Sequence, residues 1–196
     1  MIERIRTVTP DLIVVDESSN DGTAEIAARM GVRVYQREGR GKGFGVQKAL
    51  AAAEELGYDV LVLIDCDLTY PPERIPDLIR HMDGLDMVVG SRDFTNIPVF
   101  RRLVNYLHTG LINVLYRARL RDINSGLRAL RVAAFRGMID AADFDVEAQI
   151  TVRALKRGLR IREIPVSYLR RHGYSKIRAW HTWTICRTIV RERFHR

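Results

Sequence analysis

The run Val60-Leu61-Val62-Leu63-Ile64 passes directly into Asp65-Cys66-Asp67 and then, past Leu68-Thr69-Tyr70, into Pro71-Pro72. No other stretch constrains the chain as strongly. An uninterrupted β-branched and leucine run of this kind marks a strand buried on both faces of a parallel sheet, the architecture of α/β proteins. Where the run stops, two carboxylates follow, and strand alternation points both to one side just past the carboxyl end. Open α/β sheets bind ligands there. Two oxygen-only donors suit a hard divalent cation that keeps its other positions for water and phosphate oxygens. The alternative for a lone Asp-x-Asp is a solvated acidic turn.

The 196 residues suffice for one α/β domain with a proper core. A formal charge of +8 points to anionic partners: nucleotide phosphates, anionic lipid or nucleic acid. The last is not expected, because the sequence holds no aromatic ladder, helix-turn-helix signature or zinc spacing. No apolar run reaches the roughly eighteen residues of a membrane span, and the opening Met-Ile-Glu-Arg-Ile-Arg is not a signal peptide. Cys66 and Cys186 are too few for a disulfide framework or a zinc site, so a reducing, cytoplasmic setting is expected.

In chain order, residues 1–9 read as the end of a helix stopped by Pro10. Leu12 to Val15 read as a short buried strand running into the loop Asp16-Glu17-Ser18-Ser19-Asn20-Asp21-Gly22. Thr23 or Asp21 caps the next helix, Gly31 closes it, and Val32 to Tyr35 is the following strand. This is half of a nucleotide-binding unit. Asp16 and Glu17 are placed to address a base or ribose, or alternatively to cap the helix. Arg37 to Lys48 packs four glycines and four basic residues into a helix entry, where Lys42 beside a helix amino terminus suits a diphosphate. It is not a Walker A loop; a plain surface loop is the alternative. A helix from about Glu73 to Met82 and a buried strand from Met87 to Val89, ending in Gly90-Ser91-Arg92, follow. Leu103, Tyr106, Leu107, Leu111, Val114 and Leu115 then form an apolar stripe on a helix from Arg101 to Tyr116. After the polar loop from Asp122 to Arg128, Phe144-Asp145-Val146-Glu147 leads into a helix ending near Arg157, and Leu159 to Tyr168 is an edge-like strand containing Pro165. A basic loop, Arg170 to Lys176, precedes a final helix with Ile177, Trp180, Trp183, Cys186 and Val190 on one side and arginines mostly off that stripe. Such a helix suits either docking on its own domain or lying on an anionic membrane.

Taken together, these segments resemble family 2 glycosyltransferases of the GT-A fold, and within them the polyprenyl-phosphate (dolichyl-phosphate) mannosyl- and glucosyltransferase branch. Val14 to Thr23 resembles the family's V-V-D-D-G-S-x-D-G-T, and Gly41-Lys42-Gly43 its G-K-G. Asp65 to Pro72 resembles D-A-D-L-Q-H-P-P. Gly90-Ser91-Arg92, Asn124 to Arg128 and His172 to Lys176 resemble its G-S-R, x-S-G-F-R and H-G-x-S-K elements. Glu17 and Ser18 stand where the family has Asp and Gly, and Thr69 where the branch often carries Gln. The family's first strand, with its P-x-x-N-E loop, has no counterpart. The resemblance therefore implies a Rossmann-like, mostly parallel sheet flanked by helices and truncated at its amino end. That catalytic domain occupies residues 1–170, and residues 171–196 hold the basic loop and amphipathic helix.

The resemblance further implies inverting hexose transfer from GDP-mannose or UDP-glucose to a polyprenyl phosphate. Asp65 and Asp67 would hold Mg²⁺ or Mn²⁺ across the donor's diphosphate, with Asp67 counted as catalytic. Asp16 and Glu17 would address the nucleoside, and Lys42, Arg92, Ser125, Arg128, Arg171, Ser175 and Lys176 the remainder of the donor and its charge. A lipid phosphate acceptor needs no general base, since its second pKa is roughly 6. For a hydroxyl acceptor, Asp145 or Glu147 is the candidate base. A peripheral enzyme on the cytoplasmic membrane face is expected. The alternatives are a family 2 transferase with a soluble or polysaccharide acceptor, and a catalytically impaired nucleotide-binding remnant.

Overall fold

The structure is a computed structural model describing residues 1–171 and 177–195. Six strands and eight helices follow in the order α1 (Ile2–Arg6), β1 (Ile13–Asp16), α2 (Thr23–Arg29), β2 (Arg33–Gln36), α3 (Lys42–Glu55), β3 (Val60–Leu63), α4 (Ile75–Arg80), β4 (Met87–Arg92), α5 (Val99–Tyr116), β5 (Arg128–Arg131), α6 (Val132–Phe135), α7 (Val146–Lys156), β6 (Ile161–Val166) and α8 (Ala179–Phe194) among the described residues. A 3-10 turn, Pro72–Arg74, leads into α4 and begins at the second proline, whose fixed φ suits a helix start.

The strands form two sheets. β1 and β2 pair in parallel, and a four-stranded sheet runs β3-β5-β4-β6. Within it β4 and β6 are parallel, while β5 is antiparallel to both β3 and β4. Three of its four strands thus run the same way and β5 alone is reversed, so the sheet is mixed but mostly parallel in direction. β5 is reversed because the chain leaves α5 and returns through the loop at residues 117–127 from the opposite end. Pro165 lies on β6 at the sheet edge, opposite Ser91, where a missing N–H costs no ladder bond.

Alternation along the strands divides the core. Met87, Val89, Leu61 and Leu130 pack under α3, α6 and α7, with Val46, Leu50, Phe135 and Ile150. Val88 and Ala129 face the other side, with Leu78, Met82, Ile164 and Tyr168. A third cluster, including Ile112, Val152, Ile185 and Ile189, seals α5, α7 and α8 together.

β3 is less buried than its composition predicts: of its four residues only Leu61 is buried. Among the described residues β3 pairs on one side only, with β5, and β1 pairs on one side only, with β2. Between their other edges lies a cleft of about 1000 Å³, lined by Ile13 to Val15, Val60 to Ile64 and the face of α3. The two sheets have not closed on one another, and the apolar side chains of β1 and β3 border the gap. No helix among the described residues is long and apolar enough to cross a membrane.

Candidate active site

β3 ends at Leu63, and Cys66 and Asp67 already lie in a turn. The two carboxylates are therefore placed by that turn rather than by strand alternation. Leu68 holds it with φ +61°, a left-handed conformation that costs a residue with a Cβ about 1–2 kcal/mol. Thr69 closes it: its backbone N–H donates to Asp67 Oδ1 at 3.1 Å, and its hydroxyl donates to the same oxygen.

Each carboxylate carries a cation. Lys42 Nζ stands 2.7 Å from Asp65 Oδ1 and 2.5 Å from Glu147 Oε1, and an Arg171 guanidinium nitrogen stands 2.7 Å from Asp67 Oδ2. Burial acts to lower the Lys42 pKa, but the two carboxylates outweigh it and the ammonium is held above its ordinary range. Burial likewise acts to raise Asp65, and the Lys42 charge reverses it, leaving the carboxyl below its ordinary range.

Close backbone approach builds this arrangement. Lys42 opens α3, and Gly43 N–H donates to the Ala142 carbonyl at 3.0 Å. A Cβ on Gly43 would lie 1.8 Å from the Ala141 carbonyl oxygen, and one on Gly126 would lie 2.3 Å from Asp65 Oδ2. The glycines of Gly41-Lys42-Gly43 thus let the helix entry dock on residues 141–143, which aims Lys42 at the acidic turn.

The pair fits a hard divalent cation. Both donors are carboxylate oxygens, and two side-chain cations already stand on them as stand-ins for a metal's charge. No group of three or more His, Cys, Asp or Glu gathers among the described residues. A metal here would accordingly draw its other ligands from water and substrate phosphates.

The first acidic loop is bound up in itself. Asp16 accepts from the Ser19 backbone N–H and hydroxyl, both at 2.8 Å, and Glu17 is ion-paired with Arg37. Ser18, with φ +61°, adopts a left-handed conformation that a glycine takes without strain, and its N–H and hydroxyl both donate to Gln36.

Three of the expected site residues bond within the protein. Ser125 is fully buried and donates to the Gly90 carbonyl at 2.6 Å. Arg128, also fully buried, donates to the Ser125 and Ile123 carbonyls and to Thr151 Oγ1, so it pins the loop at residues 122–126. Asp145 turns away from Lys42 and accepts from Thr188 Oγ1 of α8 at 2.7 Å, whereas Glu147 stays beside Lys42. Arg92 lies across Asp122 in a two-pronged pair, both bonds 2.7 Å. Ser175 and Lys176 lie outside the described residues.

Two residues that hold the site were not singled out from sequence. Tyr70, 1% exposed, accepts from the Gly126 N–H at 2.8 Å, tying the acidic turn to the later loop. Asp122 is the buried partner of Arg92. Their only signal was their position within the motifs already quoted.

The family model described as Glycosyl transferase family 2 matches residues 4–143. The chain belongs to this family. Among family 2 relatives, a dolichyl-phosphate hexose transferase of Haloferax volcanii is 34% identical over 90% of this chain and 77% of its own length. An undecaprenyl-phosphate mannosyltransferase of Micrococcus luteus is 30% identical over 89% and 79%. A solved structure of glucosyl-3-phosphoglycerate synthase from Mycobacterium tuberculosis, in complex with Mn²⁺, uridine diphosphate and phosphoglyceric acid, has the same fold. It matches 100% of this chain and 73% of that one at a TM-score of 0.82 and 21% identity.

Proposed function

We propose that this family 2 chain transfers a hexose, with inversion, from a nucleoside diphosphate sugar, GDP-mannose or UDP-glucose, to a polyprenyl or dolichyl phosphate. The observation that carries the proposal is the acidic turn Asp65-Cys66-Asp67 with Lys42 and Arg171 standing on its carboxylates. Two supports are external: the Haloferax and Micrococcus relatives are named for transfer to such lipid phosphates, and the Mycobacterium synthase was solved with Mn²⁺ and UDP.

Asp65 and Asp67 would hold Mg²⁺ or Mn²⁺, which when bound supplies Lewis-acid neutralisation of the leaving diphosphate. Lys42 and Arg171 keep positive charge beside that diphosphate and are free to turn to its oxygens once the carboxylates have another partner. Arg92 is less free, because Asp122 holds both prongs of its guanidinium. An anionic phosphate acceptor needs no base. A hydroxyl acceptor on a soluble molecule or polysaccharide is the second reading, favoured by Glu147 beside Lys42, the carboxylate that would take its proton. A lipid acceptor places the protein at a membrane surface. Trp180 and Trp183, both strongly exposed on α8 beside exposed Arg187, support that placement.

Calorimetric titration with GDP and with UDP, each with and without Mn²⁺, tests the reading. One nucleotide is expected to bind in a metal-dependent way, and Asp67→Asn is expected to remove the metal dependence. Undiminished metal-dependent binding by Asp67→Asn sinks the assignment, and absence of nucleotide binding favours an impaired remnant.

A further inference from the structure

α5 is built inside out. Its buried residues are Asn105, His108, Thr109 and Ile112, three of them polar. Its exposed side carries Val99, Phe100, Leu103, Tyr106, Leu107 and Val114, each between 54% and 77% exposed. At 100° per residue these six fall on one face about 120° wide and, at 1.5 Å per residue, roughly 22 Å long. The inward polarity has a purpose in the fold. Asn105 accepts from Asn124 at 2.8 Å, Thr109 accepts from the Ile123 N–H at 3.4 Å, and Asn113 exchanges two bonds with Leu120, at 2.8 and 2.9 Å. The helix therefore spends its polar face on the loop that Arg92 and Arg128 also hold, and leaves its apolar face outward. Monomeric soluble proteins rarely show so continuous an apolar patch without a use for it.

The charge around the stripe selects the occupant. Residues 94–121 contain five arginines and no Asp or Glu. Arg101 is exposed near one end of the stripe and Arg117, Arg119 and Arg121 are exposed beyond the other. A second copy docking by the same face would set arginine against arginine with no carboxylate to offset it. An anionic lipid surface supplies apolar depth for the stripe and negative headgroups for both ends.

We infer that the outward face of α5 docks on the surface of an anionic bilayer, its stripe entering the headgroup boundary and its flanking arginines meeting the phosphates. This deepens the reading of a membrane-borne acceptor, because α5 is the helix that carries the Asp122 to Arg128 loop on its inner side. Its test does not depend on turnover.

The full chain is floated with vesicles of phosphatidylcholine alone and of phosphatidylcholine mixed with phosphatidylglycerol, at low and raised salt. Binding to the mixed vesicles that weakens with salt is expected. The exposed triple variant Phe100→Ser/Leu103→Ser/Leu107→Ser is expected to partition at least about tenfold more weakly, with circular dichroism and nucleotide titration unchanged. A second variant, Arg117→Glu/Arg119→Glu, is expected to lose the preference for phosphatidylglycerol. Failure of the parent chain to float, or equal flotation of the triple variant, overturns the inference. So does a triple variant that floats unchanged but sediments as a smaller species than its parent, which assigns the face to a second copy. A chain that floats yet binds no nucleotide sinks the transferase reading and leaves this surface standing.

Discussion

His108 sits on the inner face of α5, 1% exposed, with Nδ1 3.0 Å from the Asn124 amide nitrogen. Burial holds its pKa below the ordinary 6.5. The unfolded chain therefore takes up a proton that the folded chain refuses once pH falls below about 6.5. Stability contributed by the neutral ring is complete above that value and is lost as pH falls toward the depressed folded value. Thermal unfolding followed from neutral pH to about 5 should give a falling midpoint, and His108→Gln should flatten the fall. Asp140 and Glu192, whose carboxyls lie below their ordinary ranges, titrate further down, whereas burial raises the Glu163 carboxyl and so opposes the fall. Residues at this scale divide by the reach of their partners. The acidic turn at Asp65 and Asp67 and the helix entry at Lys42 were legible because each lies within a short stretch of chain. The burial of Ser125 and Arg128 was not legible, because it depends partly on Gly90 and Thr151, which lie far away in sequence.

At the scale of elements, the entry of α3 is the joint on which the site turns. Gly43→Ala pushes a methyl group into the Ala141 carbonyl, which is backbone and cannot swing aside. Overpacking of this kind costs about 1–3 kcal/mol. A lower urea midpoint is expected, together with weaker nucleotide binding, since Lys42 shifts with the helix start; an unchanged midpoint would mean that residues 141–143 yield freely. Periodicity found α5 and its stripe but could not tell inside from outside. A face is a property of the helix alone, whereas its direction depends on what the rest of the chain brings to the other side. The reversal of β5 was hidden for a related reason, because a four-residue strand between two loops carries no mark of direction.

On the scale of the whole molecule, the two sheets are unequal. The four-stranded sheet is covered on both faces by separate apolar clusters, while β1 and β2 form a two-stranded unit beside an open cleft. Small units with few buried contacts open at lower free energy than a core sheet. Amide exchange should therefore be faster for Ile13–Asp16 and Arg33–Gln36 than for Met87 to Val89, and uniform protection across both sheets would contradict this division. The open cleft also bears on how the protein behaves when concentrated. The facing edges of β1 and β3 offer unspent backbone donors and acceptors flanked by apolar side chains, the pattern on which one strand templates another. Crowding such molecules together is expected to favour edge-to-edge pairing through these two short strands, a concentration-dependent growth in size that light scattering would detect.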